Sequence, residues 1–191
     1  MNSDYTLIAN DKLTELAKRN GIKTWNELTN FVRNLPYGRT KNRTDLSLVL
    51  SEKKGTCSSK HALLKSLADL NGIPNIDLVI GIYKMTETNT PKIGNELTKN
   101  GLSYIPEAHC YLKINGTRKD LTSNQSDIDK MVNDIIEELL IEPHQIAEFK
   151  VNYHKNFIKS WLKERESESE FERIWTIREN CIKRLSEQTK K

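Results

Sequence analysis

The sequence has few cysteines, few prolines and no long apolar run, and each shortage argues against a class of protein. Its 191 residues include three cysteines and five prolines. An odd number of cysteines without a CxxC pair does not suggest a zinc site or a disulfide framework, so we expect free thiols in a reducing cytoplasm. No apolar run approaches the roughly 20 residues of a membrane span, and no secretory signal is evident. We therefore expect no membrane partner.

Charge and histidine content also argue against whole classes of ligand. The formal net charge is +4, from 30 Lys and Arg against 26 Asp and Glu. Acidic and basic residues are interleaved, which is typical of solvated helix faces. The most basic stretch, residues 39–43, could meet an anionic ligand, but a surface loop is the simpler interpretation. The four histidines form no clustered ligand set. We expect no nucleic-acid partner, no metal and no organic cofactor.

The first 125 residues predict helices followed by a small sheet. Apolar spacing predicts two helices over residues 11–35, interrupted at Asn20-Gly21, then a short helix or turn at 45–50 and a helix from Ser58 to Leu70. Strands are predicted from composition and turn signals at 76–83, 108–114 and 117–122, the last two joined by an Asn-Gly hairpin. Residues 86–107 lack periodicity, and we predict a long loop that shapes or covers a cleft.

The remaining residues carry apolar side chains at helical steps. This pattern runs through residues 128–140 and resumes beyond Pro143, so helix is predicted throughout the segment. The sequence therefore predicts an α+β fold in two parts. Residues 1–125 would form the core with its N-terminal helices, and residues 126–191 a helical C-terminal extension packed on that core.

Cys57 has the surroundings of a reactive thiol. It follows Gly55-Thr56 and opens the helix predicted over residues 58–70. The partial positive charge and free N–H groups of a helix N-terminus favour a thiolate and can hold the oxyanion formed when a carbonyl is attacked. The alternative for any single cysteine is a buried and unreactive side chain. The polar neighbours of Cys57 favour the reactive interpretation.

His109 and Asp120 supply the groups that such a thiol needs. Successive side chains of a strand point to opposite faces, so His109 shares a face with Tyr111 and Lys113 of the predicted strand, and Cys110 shares the other with apolar residues. Cys110 is therefore interpreted as core and His109 as the base. Asp120 follows the hairpin and could hold the imidazole in the correct tautomer. His61, four residues after Cys57 on the same helix face, is a rival base. A structural or surface histidine also remains possible at position 109.

Five short runs resemble the transglutaminase-like superfamily. They are residues 55–64, 70–74, 79–81, 108–114 and 120–122, and the resemblance spans roughly residues 35–125. It is closest to bacterial stand-alone domains of that superfamily, and it implies a papain-like core in which a cysteine-bearing helix packs on a small antiparallel sheet. It also implies the roles of Cys57 as nucleophile, His109 as base and Asp120 as the residue that orients His109.

These residues predict a thiol-dependent enzyme that acts on amide or acyl bonds through an acyl-thioester. It would be a cysteine protease, an amidase or an acyltransferase, with a peptide, a protein or a small amide as substrate. The alternative is a catalytically silent domain that binds a peptide or protein in the same cleft. A basic nucleic-acid module is a third interpretation, and it would predict affinity that falls steeply with salt.

Overall fold

The computed structural model describes residues 4–167 and 170–187. These residues form an α+β fold of six α-helices and one antiparallel four-stranded sheet. The elements in chain order are α1 (Lys12–Arg19), α2 (Trp25–Asn34), α3 (Ser47–Ser51), α4 (Cys57–Leu70), β1 (Ile76–Met85), β2 (Ile105–Ile114), β3 (Thr117–Lys119), β4 (Ile135–Ile141), α5 (Glu148–Lys163) and α6 (Phe171–Glu187). The helices and strands predicted for the first 125 residues are confirmed, with shifts of a few residues at their ends.

The hairpin between β2 and β3 forms where the sequence predicts it. Asn115 and Gly116 have φ angles of 50° and 77°, which are the left-handed values required by the tight turn that joins two antiparallel strands. The strand order is β3-β2-β1-β4, and Gly81 of β1 lies opposite His109 of β2. β3 is short and pairs only with residues 112–114. The part of β2 that carries His109 therefore has no β3 residue beside it.

Two apolar cores lie within the fold. The larger joins alternate residues of β1 and β2, among them Ile80 and Cys110, to the buried faces of α1, α2 and α4. The smaller joins Val79 and Tyr111 of the same strands to α5 and α6. Cys110 is fully buried in the larger core, which confirms its interpretation as a core residue. The sheet therefore lies between two sets of helices.

The prediction of helix over residues 128–140 is wrong. Residues 128–134 form two short 3-10 turns, and Ile135–Ile141 form β4, which pairs antiparallel with β1. The double pairs Ile135-Ile136, Glu137-Glu138 and Leu139-Leu140 fit a helical period as well as a strand. β4 lies at the edge of the sheet and its register shifts opposite Ile82 and Tyr83, so the strict alternation of a regular strand is lost.

The C-terminal part of the chain is therefore not wholly helical. It contributes an edge strand to the sheet as well as α5 and α6. The division of the chain at residue 125 stays a prediction. Among the described residues, none of the helices combines the length and the apolar character needed to cross a membrane.

Residues 86–107, predicted as a loop that shapes or covers a cleft, pack mainly into the smaller core. Ile93 and Leu97 are fully buried in the smaller core, which also contains residues of α6. The only residue of 86–107 that lines the cavity beside Cys57 is Glu107, and it belongs to β2. The apolar side chains of the segment therefore complete a core, and its backbone does not cover the cavity.

Candidate active site

Cys57 is the first residue of α4. Thr56 caps the helix, with its hydroxyl accepting from the Ser59 N–H, while the Ser59 hydroxyl accepts from the Thr56 N–H at 2.9 Å. This reciprocal cap fixes where the helix begins. The cysteine consequently lies among the N–H groups of the first turn, at the positive end of the helix dipole. Its side chain is 8% exposed.

Gly55 joins the start of α4 to a second segment of the chain. Its backbone pairs with the chain on either side of Tyr37, since the Gly55 N–H donates to the Pro36 carbonyl at 3.1 Å and the Gly38 N–H donates to the Gly55 carbonyl at 3.2 Å. A Cβ at position 55 would lie 2.8 Å from Cγ of Lys60. This crowding explains why the position before the Thr56 cap requires glycine.

His109 and Asp120 meet beside the N-terminus of α4. His109 Nε2 lies 2.9 Å from Asp120 Oδ2, and the second carboxylate oxygen accepts from the Thr122 N–H at 2.9 Å. The side chain of His109 is 14% exposed and that of Asp120 is 3% exposed. His109 also lies close enough to Cys57 for each side chain to shift the pKa of the other. The structure therefore brings together the three residues that the sequence selects.

The charges around Cys57 favour a thiolate. Burial alone would raise the pKa of the thiol, but the Lys150 ammonium, the His109 imidazolium, a hydrogen bond with His109 and the Cys110 N–H lower it to about 6. Burial alone would lower the pKa of His109, yet the charges of Asp120 and Cys57 raise it well above its ordinary value. Both shifts favour a thiolate–imidazolium pair at neutral pH.

His61 has a structural position instead of that of a base. Its Nδ1 lies 2.8 Å from the Cys57 carbonyl, and its Nε2 accepts from the Leu121 N–H at 2.8 Å. Nδ1 therefore carries the proton and Nε2 is unprotonated. Burial, only partly offset by Asp120 3.8 Å away, lowers the pKa of His61 to about 4, so the ring stays neutral.

Lys60 works together with His61 to hold the segment that carries Asp120. Its ammonium is fully buried and donates to the carbonyls of Leu35 and Thr122 at 2.5 and 2.6 Å. His61 binds the preceding residue, Leu121, through the backbone. Two consecutive residues of the cysteine helix thus fix the position of Asp120 relative to Cys57. Sequence reasoning missed Lys60, although its place next to His61 in the helix was visible.

Replacing His61 by leucine is expected to lower the free energy of unfolding by about 1–3 kcal/mol. The Leu121 N–H would lose its acceptor in a partly buried place, which carries a cost of this size. Urea denaturation measures the loss. Because His61 bonds to the backbone carbonyl of Cys57 and not to its thiol, the pH midpoint for alkylation of Cys57 should stay near 6. A midpoint displaced as far as that of a His109 variant would restore His61 as a candidate base.

The cavity beside Cys57 has residues that sequence reasoning did not select. It has a volume of about 270 Å³ and lies between the start of α4, β2, α5 and α6. Lys150 of α5 is buried, and its ammonium donates to the Ser58 hydroxyl at 2.9 Å. Arg178 of α6 donates to both carboxylate oxygens of Glu107, at 2.7 and 2.6 Å. No motif marks these residues, because their positions depend on how α5 and α6 pack.

Tyr37 and Asn42 are polar residues that precede Cys57 in the chain, and the structure separates them. Tyr37 lines the cavity with Cys57, whereas Asn42 is not part of the lining. The side-chain oxygen of Asn42 instead accepts from the backbone and hydroxyl of Thr44, at 3.0 and 2.8 Å.

Within residues 4–167 and 170–187, no group of three or more His, Cys, Asp or Glu side chains could hold a metal ion.

Comparison with known proteins finds one distant structural relationship. No protein-family model matches the chain, and no curated protein matches it. A solved structure from Cytophaga hutchinsonii, described as a putative cysteine protease, is similar to the chain with a TM-score of 0.38 and 16% sequence identity. The similarity covers 68% of this chain and 45% of that one, so the chain spans less than half the length of that protein. At this level the relationship is a distant one of fold, and no residue role rests on it.

Proposed function

We propose that the protein is a thiol-dependent enzyme that cleaves or transfers acyl groups at amide bonds. The observation that carries the proposal is the position of Cys57 at the N-terminus of α4, next to His109, which is hydrogen-bonded in turn to Asp120. The family assignment belongs to the same proposal. In it, α4 and the sheet are the papain-like core of a transglutaminase-like domain.

Each of these three residues has a defined role in the reaction. The Cys57 thiolate attacks the carbonyl carbon of the substrate, and the N–H groups at the start of α4 stabilise the negative oxygen. His109 gives its proton to the leaving amine as the C–N bond breaks, which leaves an acyl-thioester on Cys57. His109 then takes a proton from water or from a second amine, which attacks the thioester carbonyl. The C–S bond breaks, which releases the acyl group as an acid or a new amide and restores the Cys57 thiolate. Asp120 orients His109 and stabilises its charged form.

The pH dependence of alkylation by iodoacetamide tests the proposal without a known substrate. Cys57 should react with a midpoint near pH 6, because only the thiolate is a nucleophile. Its rate should rise as pH increases through this value and then level off. Peptide mass analysis after timed labelling gives the rate at each cysteine separately.

The other two cysteines are controls within the same molecule. Cys110 and Cys181 are fully buried and their thiol pKa values are raised, mainly by burial, that of Cys181 to about 12. Both should remain unlabelled at pH 6 in the folded protein. If Cys57 reacted as slowly as these two, or only above pH 8, the proposed chemistry would be wrong. The arrangement of Cys57, His109 and Asp120 would then favour the silent binding domain.

A further inference from the structure

The cavity beside Cys57 contains more positive than negative charge. Five cationic side chains line it, two from the segment before α3, two from α5 and one from α6, namely Arg39, Arg43, Lys150, Lys155 and Arg178. Two carboxylates, Glu107 and Glu179, face them. The lining therefore has an excess of three positive charges. Ionised Cys57, His109 and Asp120 add one negative charge, so an excess of two remains.

Both carboxylates are already bound by arginines of the lining, Glu107 by Arg178 and Glu179 by Arg178 and Arg39. Glu107 accepts two hydrogen bonds from Arg178. Glu179 accepts from Arg178 at 2.6 Å and from Arg39 at 3.0 Å. In these charge-assisted bonds each carboxylate is held by a guanidinium at short distance. The other three cations of the lining take no part in these bonds.

Lys150, Arg43 and Lys155 form no ion pair with a carboxylate of the described residues. Lys150 is only 8% exposed, and the hydroxyl of Ser58 is its hydrogen-bond acceptor. Arg43 makes neither a hydrogen bond nor an ion pair with the described residues, and Lys155 has a ring contact alone, with its ammonium 5.1 Å from the centre of Trp175. A buried ammonium without a counter-ion is costly, and like charges gathered in a cavity attract an anion.

The thiolate of Cys57 accounts for only one of these three charges. Lys150 is the residue placed to stabilise it, because Ser58 Oγ lies between the two, 3.8 Å from Cys57 Sγ and 2.9 Å from Lys150 Nζ. Arg43 lies on the loop before α3 and Lys155 lies about one and a half turns after Lys150 on α5. Partial burial and the charges of Arg39 and Arg178 lower the pKa of Arg43. Repulsion of this kind is relieved when an anion enters.

We propose that this cavity is a subsite for an anionic group of the substrate, a carboxylate or a phosphate, held by Arg43, Lys155 and Lys150 next to the reacting thiol. The inference deepens the proposed function, since the substrate would carry this anion near the acyl group that Cys57 attacks. A substrate of the same shape without a negative charge would leave Arg43 and Lys155 unpaired and react more slowly.

The test compares iodoacetate with iodoacetamide, two alkylating agents that differ in one negative charge. In each case the Cys57 sulfur displaces iodide, so the S–C bond forms as the C–I bond breaks. The rate ratio of iodoacetate to iodoacetamide at Cys57 is measured in the native protein and in the double variant Arg43→Gln, Lys155→Gln. His109 is unaltered in both, so its attraction for the anion cancels. We expect the ratio to fall about fivefold in the variant at low salt, and the difference to shrink as salt is added.

A second double variant controls for net charge. Lys12→Gln with Arg19→Gln also removes two positive charges, from exposed positions on α1 that do not line the cavity. Its ratio should equal that of the native protein. A ratio that is the same in all three proteins, or that falls equally in both variants, would overturn the subsite. Circular dichroism and urea denaturation verify that the variants fold.

The two proposals fail in different ways. A slow iodoacetamide reaction at Cys57 argues against the activated thiol whatever the ratio does. A fast iodoacetamide reaction with an unchanged ratio argues against the subsite alone. Protection of Cys57 from iodoacetamide by succinate or by inorganic phosphate, at equal ionic strength, distinguishes the two anions. The better protector identifies the group, and absence of protection by both would overturn the subsite.

Discussion

Replacing Glu107 by glutamine is expected to lower the free energy of unfolding by about 3–5 kcal/mol. Glu107 on β2 and Arg178 on α6 form a buried ion pair with two hydrogen bonds, and their side chains are 6% and 12% exposed. Removing the Glu107 charge leaves the buried Arg178 with Glu179 alone, a carboxylate that is 38% exposed and shared with Arg39, so most of the cost of breaking a buried pair remains. Urea denaturation monitored by tryptophan fluorescence measures the loss.

Two control variants separate the charge from the packing. In Glu107→Met with Arg178→Met neither charge of the buried pair remains, so this double variant should be more stable than Glu107→Gln. Glu170→Gln removes the exposed partner of Arg173 in an ion pair with side chains 45% and 46% exposed, and it should cost less than about 1 kcal/mol. A Glu107→Gln protein as stable as Glu170→Gln would show that the buried pair contributes little.

The same ion pair should make the protein sensitive to acid. Burial alone would raise the pKa of Glu107, but the charge of Arg178 and then that of His154 lower it from an ordinary 4.5 to about 2. A lowered pKa in the folded state gives stability that is complete above pH 4.5 and is lost as the pH falls towards 2. Glu107→Gln should lose less stability over this range than the native protein.

Replacing His109 by alanine is expected to slow alkylation of Cys57 by about 10- to 100-fold at pH 6. The variant loses both the imidazolium charge and the hydrogen bond that lower the pKa of the thiol. Each unit by which that pKa rises removes about nine-tenths of the thiolate at this pH. Because Lys150 remains, the pKa should not return fully to its ordinary value.

The shape of the pH profile distinguishes an electrostatic effect from a general disturbance of the site. In His109→Ala the rate of alkylation should continue to rise above pH 6. It should approach the native rate near pH 9, where Cys57 is ionised in both proteins. A disturbed fold would lower the rate at every pH. His144→Ala removes an exposed histidine and should match the native profile. Equal profiles for the His109 and His144 variants would exclude His109 as the partner of Cys57.

The sequence predicts those elements of the fold whose signals are local. α4 has a cap at its start and Asn71-Gly72 at its end, and the β2–β3 hairpin has an Asn-Gly turn, so each is determined by neighbouring residues. β4 could not be found in this way. Its residues repeat in pairs, and only their pairing with β1, more than 50 residues earlier, decides that they form a strand. Local periodicity contains no information about that partner.

The residues of the candidate site also fall into two groups, those that the local sequence marks and those that it does not. Cys57, His109 and Asp120 belong to chemical types that the local pattern marks, and the structure places them together. Lys150, Glu107 and Arg178 are charged residues in a sequence full of charges, and nothing nearby distinguishes them from solvated ones. Arg39 and Arg43 had been interpreted as part of an ordinary surface loop, yet both line the cavity. Long-range packing alone selects these residues.

The position of β4 at the edge next to β1 also affects the order in which the chain can fold during synthesis. β1, β2 and β3 follow one another closely and can pair as soon as residue 119 has emerged. β1 then keeps one open edge until Ile141 has been made, because β4 is its second neighbour. Unpaired strand edges and non-local contacts expose a growing chain to wrong association. The nascent protein is therefore most vulnerable while residues 120–141 leave the ribosome.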